Sequence, residues 1–376
     1  MKFKVASKAL YSVLSGVSKV INSKNTLTIL DNFLMKVEAD ALVVTASDTE
    51  NTLTARVAIS AAEGEGAFCV NARRISDIAK ELPDVDVDVE VNDETLELKI
   101  EFPGGKFDLV ALSADQYPRT VEPVDEAETL SFEAPAEQIL NGIENTLFAV
   151  GSDDLRPQMM GILWDIKEDG ITFVATDTRK LVRYINKTSA PGIAASCIVP
   201  VKPSVILKNL LRREDLVKVS ISQKAAVFST ENIQLNCCFI KGNFPDYTRV
   251  IPKNNPYIVT VDRASILTAV RRVSVCADPA HGLVKFRFSD NKIELKVDDT
   301  NFSTFAKENI PCDFQGPEMV IGFSAPYLTE IFSTLATPNV LLQLADPSRP
   351  GVFLPEENAE NTDLVIILMP MTVQEF

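Results

Sequence analysis

A chain of 376 residues, 46% hydrophobic and 24% charged, is long enough for two or three separately cored domains and has the composition of an ordinary soluble protein. No run approaches eighteen apolar residues, which speaks against a membrane-spanning helix, and the start MKFKVASKAL lacks the apolar centre of a signal peptide. A formal net charge of −15 excludes a surface coated in basic groups but not a single basic stripe, because the local field decides what binds.

The chain opens with the alternating strand KFKV and a helix starting at Ser7, whose Leu10, Val13, Leu14 and Val17 recur at helical spacing. Lys24 follows in the polar turn INSKNT, and the strand ALVVTAS ends in Ser47-Asp48-Thr49. The strand FCVN then runs into a second helix opened by Arg73 and Arg74. From Asp84 to Glu90, strict alternation puts the carboxylates on one strand face and the valines on the other. That is a solvated acidic face and not a cation loop, which would need a glycine and a distal glutamate. TLELKIEF reads as a further strand.

The same text then returns. LSFEAP leads into a helix marked by Pro135, with Ile139, Ile143 and Leu147 on one face, and a later strand ends in Thr176-Asp177-Thr178. SCIV precedes a fourth helix, marked by Pro203 and carrying Lys202 and Lys208, and VKVSISQ and AAVFSTE follow as strands. The third copy has YIVTV, a helix from Asp262 with Arg271 and Arg272, the strands KFRFSD and KIELKV, and the turn Asp298-Asp299-Thr300. Ser324 and Pro326 signal a sixth helix, and the loop through Pro347, Pro350 and PEENAEN reads as exposed.

Phe3, Phe132 and Val259 anchor the three copies, 129 and 127 residues apart. A weaker echo inside each copy is anchored at Phe68, Cys197 and Val320, a further 65, 65 and 61 residues on. Six strand–helix–strand units predict an α+β fold of three repeated domains, each with two helices against roughly eight antiparallel strands. Pro-bearing stretches from Tyr117 to Glu128 and from Ile251 to Pro256 place the domains at 1–125, 129–252 and 253–376, firmly joined.

Catalytic chemistry has little to stand on. The lone histidine, His281, has no partner pattern, and no P-loop, GxGxxG, GxSxG or HExxH is present. No cofactor and no metal is expected. Cys69, Cys197, Cys237, Cys238, Cys276 and Cys312 form no CxxC pair, and most sit in apolar runs, as reduced structural thiols of a cytoplasmic protein do. The sequons at Asn186 and Asn301 would then carry no glycan. Basic residues fall on the predicted helices while the excess acid falls in strands and loops. Six equivalent helices could line one surface and make sequence-independent phosphate contacts, without the aromatic interleaving that base stacking needs.

Four segments carry a resemblance: MKFKV…TLTILDNFLMKV at the start, VATDTRKL (Val174 to Leu181), FPDYTRVIP (Phe244 to Pro252) and LMPM (Leu368 to Met371). In order and spacing they make essentially the whole chain resemble the bacterial DNA polymerase III beta subunit, the sliding clamp. The resemblance implies a head-to-tail homodimer, a ring of six clamp domains with twelve helices inside, around double-stranded DNA. It implies a non-catalytic processivity subunit of a DNA-directed DNA polymerase. The partners implied are the replicative polymerase, the clamp loader and repair proteins, each docking a short linear peptide, with no membrane involved.

For that peptide pocket the matching positions are Met159, Thr176, Thr178, Arg179, Lys180 and Leu181, then Pro245, Arg249 and Val250, then Ile367, Met369, Pro370 and Met371. Methionine and proline suit an adaptable apolar cleft. For DNA the resemblance implies Lys24, Arg73 and Lys202, with Arg74 added from its place on the helix. Across the dimer contact, Phe107 and Leu109 would meet Val275 and Cys276 of a second copy.

The chain departs from the family at Thr178, Arg179 and Lys180, where a glycine, an aromatic or histidine, and an arginine are common; lysine lacks the planar fork of arginine. Pro157 and Gln158 replace two DNA-touching tyrosines, and DDTNFSTFAKEN replaces an acidic interface cluster, so that contact leans on apolar packing. The tail from Thr372 to Phe376 runs past the usual end, with Gln374 and Phe376 placed to compete for the pocket. The alternative is an interaction scaffold of repeated domains that never encircles DNA. A paired-carboxylate hydrolase lacks a defined acid–base pair.

Overall fold

The computed structural model describes residues 1–25, 27–118, 129–278, 282–299 and 303–373. Six α-helices lie among them: α1 Ser7–Val17, α2 Ala72–Glu81, α3 Ala136–Thr146, α4 Val201–Leu210, α5 Arg263–Ser274 and α6 Ala325–Thr334. Each follows directly on a strand; in Lys2–Ala6 the side chains alternate, with Phe3 and Val5 buried, whereas Gly66–Asn71, Ala195–Pro200 and Met319–Ser324 each bury three residues in a row. The helices bury one stripe: Leu10, Leu14 and Val17 of α1 are at most 3% exposed.

The chain divides into two compact units, residues Met1–Glu137 with Lys202–Phe239, and residues Gln138–Val201 with Ile240–Phe376. In the first unit a five-stranded sheet runs Ser60–Glu63, Lys2–Ala6, Asp86–Val91, Glu97–Phe102, Gly105–Val110. Its nine-stranded sheet takes five strands from the first repeat and four from the central one. They join where Asn51–Ala58 pairs antiparallel with Ile233–Cys238, Leu53 opposite Leu235.

In the second unit the nine-stranded sheet is joined in the same way. Lys180–Asn186 of the central repeat pairs with Thr362–Leu368 of the last, Val182 opposite Ile366. A four-stranded sheet completes that unit, ordered Thr304–Pro311, Lys292–Asp299, Leu283–Ser289, Met319–Ser324. The repeats are thus fused through continuous sheets, each joint covering two strand edges that would otherwise be exposed.

Close approach explains one helical glycine. A Cβ at Gly142 of α3 would fall 2.4 Å from the Phe173 ring, which packs edge-on against the fully buried Trp164 at 4.9 Å.

Several expectations need correcting. The third echo is anchored at Ile321 and not Val320: Ile321 is 1% exposed while Val320 is half-buried, because a one-residue shift moves a side chain to the other face. Ser7 begins α1 without capping it; its hydroxyl donates to the Pro83 carbonyl at 2.6 Å. The fourth helix starts at Val201, so Pro203 sits inside the first turn, where no N–H is required. Tyr117 is not linker. It is 6% exposed, packed with Leu30 and Cys69, and burial raises its phenol well above the ordinary value.

The acidic strand behaves as its alternation predicts, with Val87, Val89 and Val91 buried and Asp86 and Glu90 exposed. All six cysteines are free thiols; burial pushes Cys237 up to about 12 and Cys69 to about 11, which keeps both neutral. His281, Thr300, Asn301, most of the Tyr117-to-Glu128 stretch, and Gln374 and Phe376 lie outside the described residues.

Candidate peptide pocket and nucleic-acid interface

Two of the Asp-Thr turns that recur in the sequence, those at Asp48 and Asp177, share the same hydrogen bonds. Thr49 and Thr178 have φ of 81° and 77°, a left-handed conformation that costs a β-branched residue about 1–3 kcal/mol. Asp48 Oδ1 accepts the N–H groups of Glu50 and Asn51 at 3.0 and 2.7 Å; Asp177 Oδ1 accepts those of Arg179 and Lys180 at 2.9 and 2.8 Å. In each turn a hydroxyl two residues before the threonine completes the loop. Ser47 Oγ and Thr176 Oγ1 donate to the carbonyls of Asn51 and Lys180 at 3.1 and 2.8 Å. Five hydrogen-bonding groups hold the strained residue.

In the second unit this turn leads into a strand, Lys180–Asn186, that helps build a buried apolar cluster. Leu181 and Ile367 lie opposite one another across the sheet joint, and with Val174, Ile198, Val352 and others they form a buried apolar floor. Phe244, Tyr247 and Ile251 pack on that floor, bringing with them the loop that carries Pro245, Arg249 and Val250. The Met369 N–H donates to the Arg179 carbonyl at 2.8 Å and that of Met371 to the Gly322 carbonyl at 2.8 Å, so the last segment leaves the sheet after Leu368. The Met159 carbonyl accepts the Gly151 N–H at 2.9 Å, beside Thr176 and Asp177.

Around this cluster two apolar side chains reach solvent, Met369 at 42% exposed and Val250 at 45%. Arg249 is exposed, its Nε 2.8 Å from Asp246 in a solvent-facing ion pair of the kind that contributes little to stability. The Thr248 hydroxyl and N–H hold the Asp246 carboxyl below its usual range. Beneath the loop, the Tyr247 hydroxyl donates to Asp165 Oδ2 at 3.1 Å; burial first, and that carboxylate second, push the phenol up to about 12.

Lys180 is turned away from solvent. Its side chain is 5% exposed, with Nζ 2.5 Å from Glu330, 3.5 Å from Asp177 and 4.2 Å above the Tyr327 ring. Tyr327, Glu330 and Asp165 carried no signal in the linear sequence, being isolated polar residues on a helix and a strand. Phe244, Tyr247 and Ile251 lay within a motif that sequence reasoning did use.

The candidate DNA residues lie in the first unit. Arg73 and Arg74 are exposed on the first turn of α2, capped by Asn71, whose Oδ1 accepts the Arg74 N–H at 3.0 Å. Lys24 is exposed in its turn. Among the described residues these three side chains have no ion-pair partner, and so remain available to phosphates. Lys202 is different, bonded to Asp48, Asn22 and the Val20 carbonyl. On α5, Arg272 is neutralised by Glu308, with Nε–Oε2 at 3.0 Å, and that bond holds the carboxyl low.

At the candidate dimer contact, Phe107 stacks on Phe102 with centroids 5.8 Å apart, on the outermost strand of its sheet. In the second unit Val275 is 84% exposed, and the Cys276 carbonyl accepts the Thr304 hydroxyl at 3.0 Å. No helix among the described residues is long and apolar enough to cross a membrane.

Comparison with known proteins accounts for this arrangement. The sequence matches the N-terminal, central and C-terminal domains of the DNA polymerase III beta subunit over residues 1–121, 133–246 and 248–372. It is 28% identical to the beta sliding clamp of Pseudomonas aeruginosa over 374 residues, covering 99% of this chain and 100% of that one, and 25% identical to that of Bacillus subtilis. A crystal structure of the Pseudomonas aeruginosa clamp bound to griselimycin superposes with a TM-score of 0.93 at 26% identity, over 99% of this chain and all of that one. The clamp from Bartonella birtlesii bound to griselimycin gives 0.91 at 25%. Three repeats of two helices against antiparallel sheets and a whole-length match lead to one conclusion: the chain belongs to the DNA polymerase III beta subunit family, the beta sliding clamps.

Proposed function

We propose that this sliding clamp, a non-catalytic subunit, pairs head-to-tail with a second copy to close a ring around duplex DNA. Its repeating units are residues 1–125, 129–252 and 253–376. It holds the replicative polymerase, the clamp loader and other partners by peptides seated on Leu181, Ile367, Met369, Pro370 and Met371, under Pro245 and Val250. Lys24, Arg73 and Arg74 supply the weak phosphate contacts that permit sliding. Its working compartment is the cytoplasm.

The observation that carries the ring is the register of the internal joints. Following hydrogen-bonded neighbours outward from Phe132 leads through Val219 and Phe228 to Leu235, which faces Leu53. From Val259 the path runs through Leu342 and Phe353 to Ile366, which faces Val182. From Phe3 it runs through Val89 and Ile100 to Phe107, where the sheet ends at an edge. The missing counterpart of Leu53 and Val182 is Ala306, across from Val297 on the edge strand Thr304–Pro311, just as Leu53 and Val182 lie across from Ala46 and Ala175. A second copy can offer its Ala306 to Phe107 in a heterologous contact that closes. The same register brings Leu109 opposite Thr304, beside Val275 and Cys276.

The test is topological. Load the clamp on nicked circular DNA with its loader, isolate the complex, then linearise the DNA. Retention before the cut and loss after it is expected; equal retention on both would favour the non-encircling scaffold.

A further inference from the structure

We infer that Lys202 is a positioning residue for the DNA-facing turn and not itself a phosphate contact; this rests on the proposed DNA-encircling function. An ammonium has three N–H donors. Those of Lys202 are all engaged: by the Val20 carbonyl, by Asn22 Oδ1 at 2.7 Å, and by Asp48 Oδ2. The Asp48 side chain is only 4% exposed, while that of Lys202 is 30% exposed. A carboxylate so buried needs its counter-charge, so the lysine's charge is already neutralised within the fold.

What the lysine holds is the stretch Val20–Asn25, which carries Lys24. Two of its three bonds end on that stretch, at Val20 and Asn22. The other side is tied by Asn25 Nδ2, which donates to Asp31 Oδ1 at 2.7 Å and to the Asn22 carbonyl at 3.3 Å. Lys24 stands exposed between the two ties. Lys202 comes from α4 in the central repeat, and Asp48 from the recurring turn of the first, so one ammonium clamps the turn and the Lys24 loop together. A polar surface loop would otherwise fray, taking its cation with it.

The experiment measures binding of a short fluorescent duplex against salt concentration for the full-length protein and its variants. Each phosphate contact contributes about 0.9 to the slope of log K against log salt. Lys24→Ala should lower the slope by about 0.9, and Lys24→Ala/Lys202→Met should show the same slope as Lys24→Ala alone. A double variant that loses about 1.8 would overturn the inference, since two independent contacts add.

Hydrogen exchange without DNA judges the clamp separately: Lys202→Met should speed exchange of the Ile21 amide, which donates to the Ser18 carbonyl at 3.0 Å beside the held Val20, and unchanged protection would refute it. If Lys202→Met fails to fold because Asp48 is left unpaired, Asp48→Asn/Lys202→Met removes both charges and takes its place in both assays. Absence of any salt-dependent duplex binding by the unaltered protein would sink the DNA reading, while the exchange result would still decide the clamp.

Discussion

Covalent capture of the ring tests the register residue by residue. With Phe107→Cys and Ala306→Cys in one chain, on a Cys276→Ser background, each protomer would carry one half of each joint. Directly opposed residues of antiparallel strands have Cα atoms about 4.5–5.5 Å apart, inside the 4.4–6.8 Å range of disulfides. A one-residue slip adds roughly 3.3 Å along the strand and turns the Cβ to the other face. Phe107→Cys with Lys307→Cys should therefore be separated by the sheet itself. Phe107→Cys with Glu308→Cys shares a face but stands about 8 Å apart at Cα, too far to bridge. After mild oxidation, a non-reducing denaturing gel should show the first pair at twice the 41.3 kDa chain mass and the other two as monomers. Stronger bridging by either control would refute the register argument. Monomer in all three would mean that the two edges do not meet.

Three further outcomes concern the second unit. Lys180→Met removes a cation 5% exposed from Asp177, itself 16% exposed; Glu330, at 44%, can rehydrate, so the cost should be about 2 kcal/mol and the melting midpoint of the second unit should fall by roughly 4–8 °C, read by calorimetry. A midpoint within 1 °C of the parent (roughly 0.3 kcal/mol) would show the ammonium to be dispensable. Met369→Ala with Met371→Ala should weaken a partner peptide at least tenfold by anisotropy, about 1.4 kcal/mol, while the dimer persists in sedimentation; loss of the dimer would make these residues structural. Tyr247, whose folded pKa lies at about 12 against an ordinary 10, holds its proton more tightly when folded. Its contribution is complete below pH 10 and is lost as pH rises towards 12, so Tyr247→Phe should be less sensitive to alkali than the parent in urea titrations. Parallel alkaline curves would count against that burial.

Sequence determined most of the architecture because the periodicities are local. Alternation in Asp84–Glu90, the helical stripes and the recurring anchors depend only on neighbours a few residues apart, and most emerged as read; the exceptions are the one-residue shift from Val320 to Ile321, Leu147, which is half-buried in a short turn past the end of α3, and Asp84 and Val85, which precede the strand. The pocket segments were legible as short motifs, although Tyr247's tie to Asp165 and Lys180's to Glu330 span 82 and 150 residues and leave no local trace.

Charge was the least legible property. Lys24 and Lys202 look alike in the sequence, yet one is exposed in its turn and the other is consumed by Asp48, Asn22 and a backbone carbonyl. Residue type and spacing determined that this chain would build repeated strand–helix units with apolar interiors. Only the tertiary structure decided which strand edges the repeats share, which cations remain free and which are spent inside, because those depend on groups brought together across more than a hundred residues of chain.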